Sequence, residues 1–337
     1  MTSLPSMTVV EALGGAPEIV SRLLGPRVLE RCLQAAGLPD NPVMDFGNYV
    51  PEITINRFFD AAARKAGDDL FGLQFTRSLS VRDYGVWGEY VLQAKDLDAA
   101  LRRAADVIHL HADKDQLRIR RGPVSTFFEY SFAEKSGPGY RQTALAALGP
   151  LISIPQHFCG QYWQPMSVAL DLNDRLIAGD IEAHLNLKTR SDESCISIEI
   201  PNADLIAANP KIPDRITTRE DVERACLGGP PQKLVPFVEY LILQKLGTEA
   251  ISLDAIAHTM ATSRRSLQRG FERSGTDFRS VVIATKMRRA QELLRRQTET
   301  VSEIATQLDY ATTSHFARAF RKSLGVSPND YRNELMR

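Results

Sequence analysis

The chain has 337 residues, 43% of them hydrophobic and 24% charged, with 41 Lys and Arg against 41 Asp and Glu. At about 150 residues per domain that length suggests two domains, and the composition excludes a disordered chain. No apolar run approaches the roughly 20 residues of a membrane span, and the start, MTSLPSMTVVEALGG, has neither the basic end nor the apolar core of a secretion signal, so a cytoplasmic protein with no membrane partner is expected.

Taken in chain order, residues 9–36 and 56–66 place apolar side chains three and four apart and predict amphipathic helices. DLDAALRRAADVIHLH (96–111) predicts another, with Leu97, Leu101, Ala104, Ala105 and Ile108 on one stripe. QLRIRR (116–121) and STFFEYSF (125–132) flank Gly122-Pro123 and predict a β-hairpin. A helix over 140–153 follows, then two strand candidates, MSVALDL (166–172) and SCISIEIP (194–201). Helices followed by strand-strand-helix-strand-strand make an α+β domain with a small antiparallel sheet over residues 1–225. CLGGPPQKLVP (226–236) then puts two glycines and three prolines into one stretch, which stops regular structure and predicts a linker. From 237 to 337 the pattern is helical throughout, an all-α domain. The four cysteines, Cys32, Cys159, Cys195 and Cys226, form no C-x-x-C pair and read as reduced thiols.

The zero net charge hides an asymmetry. Residues 233–337 hold 17 Lys and Arg against 11 Asp and Glu, which leaves 24 against 30 in residues 1–232. A basic third joined to an acidic remainder points to a polyanion-binding module attached to something else.

That basic third repeats itself. Ile256-Ala257-x-x-Met260 matches Ile304-Ala305-x-x-Leu308, and Leu267-x-Arg269-x-Phe271 matches Phe316-x-Arg318-x-Phe320. The offset changes from 48 to 49 between the two halves of the pattern, where a turn absorbs one residue. Each copy is therefore a helix, a tight turn and a second helix, the helix-turn-helix plan. The first is expected over about 253–274 and the second over about 301–323. Between them, residues 278–297 predict one long helix with Val282, Met287, Ala290, Leu293 and Leu294 on its apolar side and Lys286, Arg288, Arg289, Arg295 and Arg296 outside. Such a helix spans about 30 Å, close to the roughly 34 Å between major-groove openings on one face of DNA. Ser263 and Thr312 stand at N-cap positions, and Gly275 and Gly325 follow helix ends.

In the first copy Leu267 and Phe271 face the core while Arg265, Gln268 and Arg269 face outward; in the second, Phe316 and Phe320 are the core pair, with Thr313, Ser314, Ala317 and Arg318 outward. Arg suits guanine and Gln suits adenine as bidentate partners. Arg264, Arg273 and Arg321 extend the basic surface and complete the expected DNA-binding set. Residues 233–337 resemble the DNA-binding domain of the AraC family, and SHFARAFRKSLGVSPNDYR (314–332) and SRRSLQRGFERSG carry that resemblance. It implies double-stranded promoter DNA as a partner, RNA polymerase as a second, and two recognition helices in successive major grooves. One departure stands out. The family usually has Gly before the aromatic residue that opens the second turn, and this chain has Asp309 before Tyr310.

FGLQFTRSLSVRDYGVWGEYVLQAKDLDAALRRAA (71–105) resembles the N-terminal effector domain called arabinose-binding-like. The resemblance implies a small-molecule effector, pairing into a homodimer, or both. The chain carries no Gly-rich phosphate loop, nucleophile elbow or His-Glu-x-x-His motif, so no enzyme is expected. His109 and His111, two residues apart on a helix, point away from one another and would not share a metal. The element order resembles a haem-binding fold in which His109 would be the ligand. However, Tyr130 is followed by Ser131, Phe132 and Ala133, without the Tyr-x-Ser-x-Arg anchor, and no cofactor is expected. Arg118, Arg120 and Arg121 are the candidates for an anionic effector, against the alternative of a solvent-facing strand edge guarded by charge. The expected function is an effector-responsive transcriptional activator. The alternative is a DNA binder whose first domain is only a scaffold. A sensor predicts a ligand-sized cavity within residues 45–215, a scaffold a filled core.

Overall fold

The structure is a computed structural model and describes residues 4–38, 49–76, 78–135, 137–173, 175–211, 216–226, 229–231, 233–247, 250–296 and 298–334. Leu227, Gly228 and Gln232 of the expected linker, and Gln297 at the end of the expected long helix, lie outside the described residues. The chain forms two compact units, Pro5–Pro230 and Pro231–Arg337.

The first unit opens with strand β1 (Met7–Val9), a 3-10 turn (Val10–Leu13) and helices α1 (Ala16–Leu24) and α2 (Pro26–Ala36). The single apolar pattern over 9–36 is thus cut in two, because Gly25 takes φ 95° and Pro26 begins the next helix. Strand β2 (Tyr49–Pro51) pairs antiparallel with β1 and leads into α3 (Glu52–Ala66). Helices α4 (Leu73–Thr76), α5 (Gly85–Leu92) and α6 (Leu97–His111) follow, the last capped by Asp96, which accepts from the Ala99 amide at 2.8 Å. Phe58, Phe59, Phe71 and Phe75 stack edge to face in the core of this helical lobe. Gly88 on α5 is required by close approach, since a Cβ there would meet the Val81 carbonyl oxygen at 1.9 Å.

The hairpin expected at 116–132 forms as β3 (Gln116–Arg121) and β4 (Ser125–Ser131), antiparallel with Ile119 opposite Phe128. Two helices, α7 (Tyr140–Ala146) and α8 (Leu148–Cys159), replace the single helix expected over 140–153. Then come β5 (Val168–Ala169), α9 (Arg175–Leu185), β6 (Thr189–Arg190), β7 (Ile196–Pro201) and α10 (Arg219–Ala225). The five strands run in the order β3-β4-β7-β5-β6. The sheet is mixed and not wholly antiparallel, because α9 carries the chain back and lets β6 pair parallel to β5. Leu117, Phe128, Ile196, Ile198 and Ile200 are buried, and α6 and α8 lie against the sheet.

The second unit is all helix: α11 (Leu234–Lys245), α12 (Leu253–Thr259), α13 (Arg264–Arg273), α14 (Phe278–Arg296), α15 (Val301–Gln307), α16 (Thr313–Leu324) and α17 (Pro328–Glu334). α12 with α13 and α15 with α16 are the two helix-turn-helix pairs, and α14 joins them. Met287, Ala290, Leu293 and Leu294 of α14 share one core with Ile304, Leu308, Phe316 and Phe320. The apolar side of α14 is rotated slightly from expectation. Val281 and Thr285 are buried, and Val282 is half-buried. Among the described residues no helix is long and apolar enough to cross a membrane.

Candidate functional site

Each helix-turn-helix pair is built by the same local chemistry. In the first, Ala261 takes φ 48°, its N–H bonds the His258 carbonyl at 3.1 Å, and the Thr262 N–H reaches back to Ala257 at 2.9 Å. In the second, Asp309 takes φ 54°, with Asp309 N–H to Thr306 at 3.0 Å and Tyr310 N–H to Ala305 at 2.9 Å. This pair of hydrogen bonds closing a helix on a left-handed residue is the Schellman motif, whose favoured residue is glycine. The departure at Asp309 therefore falls where the backbone is strained, and Ala261 is a second such position that the sequence reading missed.

At Asp309 the strain is offset by contacts that alanine could not make. The carboxylate accepts from the Gly247 amide at 3.1 Å, and Lys286 on α14 stands 3.8 Å from it while donating to the Leu308 carbonyl at 2.6 Å. Lys286 also lies 5.2 Å from the Tyr310 ring centre. Burial lowers the Lys286 pKa, and Asp309 opposes that shift. Lys286 is thus an internal brace between α14 and the second pair, not the outward cation its sequence position suggested.

Ser263 and Thr312 cap the second helices, accepting from the Ser266 and His315 amides, each at 3.1 Å. The first residue of each second helix also grips its partner helix. Arg264 pairs with Asp254 at 2.8 Å, and Thr313 donates to Ser302 at 3.2 Å. Leu267, Phe271, Phe316 and Phe320 are buried, which turns the opposite faces outward. Arg265, Gln268, Arg269, Ser314, Arg318 and Arg321 are exposed, and Ala317 is half-buried. Among the described residues, the side chains of Arg265, Gln268, Arg269, Arg318 and Arg321 have no partner. Arg273 instead folds onto its own helix, its Nε 3.1 Å from the Arg269 carbonyl. On α14, Arg288 makes a two-pronged pair with Glu239 and Arg289 pairs with Glu292 at 2.9 Å. The uncommitted cations are thus concentrated on α13 and α16, a surface fit to meet phosphate and base edges.

The Pro5–Pro230 unit holds a cavity of about 80 Å³, partly open to solvent, between the helical lobe and the sheet. Its wall is mostly apolar and aromatic, including Phe59, Trp87, Phe128 and Phe132. Its polar groups are few and unusual. Glu52, at the first turn of α3, is 2% exposed, and neither carboxylate oxygen has a hydrogen-bond partner. The Ser6 hydroxyl and the Glu134 backbone amide stand near enough to draw that carboxyl downward, and Asp115 lies close by, but none meets it with hydrogen-bond geometry, and Ser6 is aimed at Asp113. Burial and the neighbouring Asp115 raise the Glu52 pKa to about 9. Asp115 is also buried and raised, although the Tyr130 hydroxyl and the Ala133 amide donate to it. His111 is 5% exposed, with Nδ1 unpartnered, and burial lowers its pKa to about 4. Its ring lies 4.8 Å from that of Tyr84 and 5.1 Å from that of Trp87.

None of the three arginines proposed from sequence lines this cavity. The pleat of β3 turns Leu117 toward the core and leaves Arg118 and Arg120 on the opposite face. Arg118 bonds Gln116, and Arg120 pairs with Glu129 at 2.6 Å while lying 4.0 Å over the Phe127 ring. Arg121 pairs with Asp98. Their pairings and their place on an edge strand favour the alternative of a charge-guarded edge over an anion site at Arg118, Arg120 and Arg121. Glu52 gave no signal in the sequence, since only the fold reveals a buried carboxyl without a partner. His109 is exposed and His111 buried, and among the described residues no group of three or more His, Cys, Asp or Glu is placed to hold a metal. All four cysteines are free thiols.

Comparison with known proteins gives two family matches. Residues 28–208 match the arabinose-binding domain of AraC transcription regulator, N-term, and residues 256–334 match a helix-turn-helix domain. Among curated relatives, the chain is 28% identical over 104 residues to the transcriptional activator RhrA of Rhizobium meliloti, covering 30% of this chain and 33% of that protein. It is 35% identical over 99 residues to the ornithine utilization regulator of Pseudomonas aeruginosa, covering 29% of each. The matched region thus spans about a third of these relatives' own length. A solved structure, the transcriptional regulator CdpR from Pseudomonas aeruginosa, aligns over 91% of this chain and 97% of its own with a TM-score of 0.40 and 19% identity.

Proposed function

The chain belongs to the AraC family of transcription regulators, DNA-binding proteins and not enzymes, and from that premise we propose that it reads promoter DNA with two recognition helices under the control of a small-molecule effector. The observation that carries the reading is the repeated helix-turn-helix geometry, with unpartnered arginines exposed on the second helix of each pair. Arg265, Gln268 and Arg269 of α13 read one major groove. Thr313, Ser314, Ala317 and Arg318 of α16 read the next, and Arg321 meets phosphate. Arg264 and Arg273, tied to Asp254 and to the Arg269 carbonyl, position α13 and touch the DNA backbone at most. The 19 residues of α14 span about 28 Å, in keeping with the groove spacing of about 34 Å.

The cavity supports the sensor over the scaffold, because a purely structural domain fills its core and partners its buried carboxyls. The effector occupies the Pro5–Pro230 unit and favours one arrangement of the DNA-binding units. The coupling equals its difference in affinity for the two states. Homodimerisation and activation through RNA polymerase complete the reading and rest on family membership.

Binding of the full chain to a tiled set of base-substituted promoter duplexes tests the DNA half. Arg269→Ala and Arg318→Ala should each abolish discrimination at a different base position, the two positions about 10 base pairs apart. Uniform weakening on every duplex would reassign both arginines to phosphate and refute two-groove base reading.

A further inference from the structure

The cavity's chemistry narrows its ligand, on the reading that this is the effector site. Two carboxyl groups line it, Glu52 and Asp115, and no lysine or arginine among the described residues does. Asp115 accepts from Tyr130 and Ala133, whereas both oxygens of Glu52 are buried beside Asp115 and Ser6 without a hydrogen bond to either. Buried acceptors are nearly always partnered, so a group left bare in a cavity wall points to a donor that arrives from outside. A ligand carboxylate or phosphate would face two acids with no cation to meet it. A sugar would need many polar contacts in a wall that is chiefly apolar.

A protonated amine answers both features. Its head supplies three donors and a positive charge. Its apolar body suits the rings of Tyr84, Trp87 and Phe128, whose faces also favour cations. The position of Glu52 on the first turn of α3 lets the helix dipole support the ionised carboxylate once the cation is in place. We propose that this cavity takes a small primary amine with an aromatic or aliphatic body, its ammonium head held by Glu52 and Asp115.

The full chain is titrated by calorimetry with three compounds of matched size: phenethylamine, 2-phenylethanol and 3-phenylpropanoate. Phenethylamine should bind about tenfold or more tighter than the other two, as a charge-assisted hydrogen bond implies. In Glu52→Gln that preference should collapse by a similar factor, while the affinity for 2-phenylethanol changes less than about threefold. Circular dichroism verifies the fold, and Asp115→Asn, which should also weaken amine binding, serves if Glu52→Gln does not fold. Tighter binding of 3-phenylpropanoate, equal binding of all three, or no binding of any would overturn the inference. DNA affinity measured beside each titration separates the two claims. Selective amine binding that leaves DNA affinity unchanged would sustain the amine site and break the effector reading. An alcohol or carboxylate that binds best and does change DNA affinity would sustain the effector reading and break the amine site.

Discussion

The two units of this chain hold their unmet charge in opposite ways. In the DNA-binding unit the uncommitted groups include the arginines of α13 and α16, exposed to water. Solvation makes them nearly free of cost to the fold, and the helices beneath are fixed by Leu267, Phe271, Phe316 and Phe320 regardless of what the arginines do. In the Pro5–Pro230 unit one uncommitted group is the Glu52 carboxyl, buried in a mostly apolar wall where ionisation opposes folding. A surface can thus be prepared for a partner without loss of stability, while a cavity prepared for a charged partner stores a penalty until the partner arrives.

The sharpest way to separate the two is to remove the charge. Glu52 keeps its proton in the folded chain at pH values where the unfolded chain has lost it. Its contribution is therefore whole below the ordinary carboxylate range and is lost as pH rises toward about 9. Glu52→Gln should be more stable than the parent, by a margin that widens with pH by up to about 1.4 kcal/mol per unit through that window. Urea unfolding of both proteins at pH 5, 7 and 9 reads it, and parallel pH profiles would contradict it. Arg269→Ala should do the reverse: stability within about 0.5 kcal/mol of the parent, and a loss of about 1–3 kcal/mol in promoter binding. A drop in melting temperature as large as the drop in affinity would mean the arginine is structural.

Smaller effects sharpen the comparison inside the DNA-binding unit. Ala261 and Asp309 occupy the same left-handed position in the two turns, but only Asp309 has contacts that offset the strain. Ala261→Gly should stabilise the chain by about 1 kcal/mol, and Asp309→Gly by less or not at all. Equal gains in thermal unfolding would show that the Gly247 and Lys286 contacts contribute nothing. Smallest of all is Arg264→Ala, which removes an exposed ion pair to Asp254 and should alter stability by no more than about 1 kcal/mol. Its effect on promoter affinity should be well below that of Arg265→Ala, measured by anisotropy on one duplex.

The DNA-binding unit was legible in the sequence because its determinants are local and written twice. Caps at Ser263 and Thr312, core pairs four residues apart and a one-residue slip at the turn all survive as pattern. What escaped notice there needed a third dimension: Lys286 reaching Leu308 from another helix, and Ala261 in a left-handed turn. In the first unit the hairpin was readable from alternation and α6 from its apolar stripe. The mixed sheet was not, because β5 and β6 are two residues each and their pairing depends on α9 returning the chain. The arginines of β3 drew attention as charged residues in a strand, yet neighbours across the sheet and on α6 satisfy two of them. Glu52 lies outside the helix expected over 56–66, and its setting depends on residues far apart in sequence, from Thr8 to Tyr130, that close around it.

Two recognition helices acting on one DNA face are the centre of the proposed function. A hydroxyl-radical footprint of the full chain on its own promoter, with Arg269→Ala and Arg318→Ala beside it, tests this most directly. Two protected segments about 10 base pairs apart on the same face are expected, with each substitution erasing protection at one segment and sparing the other. A single protected segment, or two that fade together whichever arginine is removed, would contradict it.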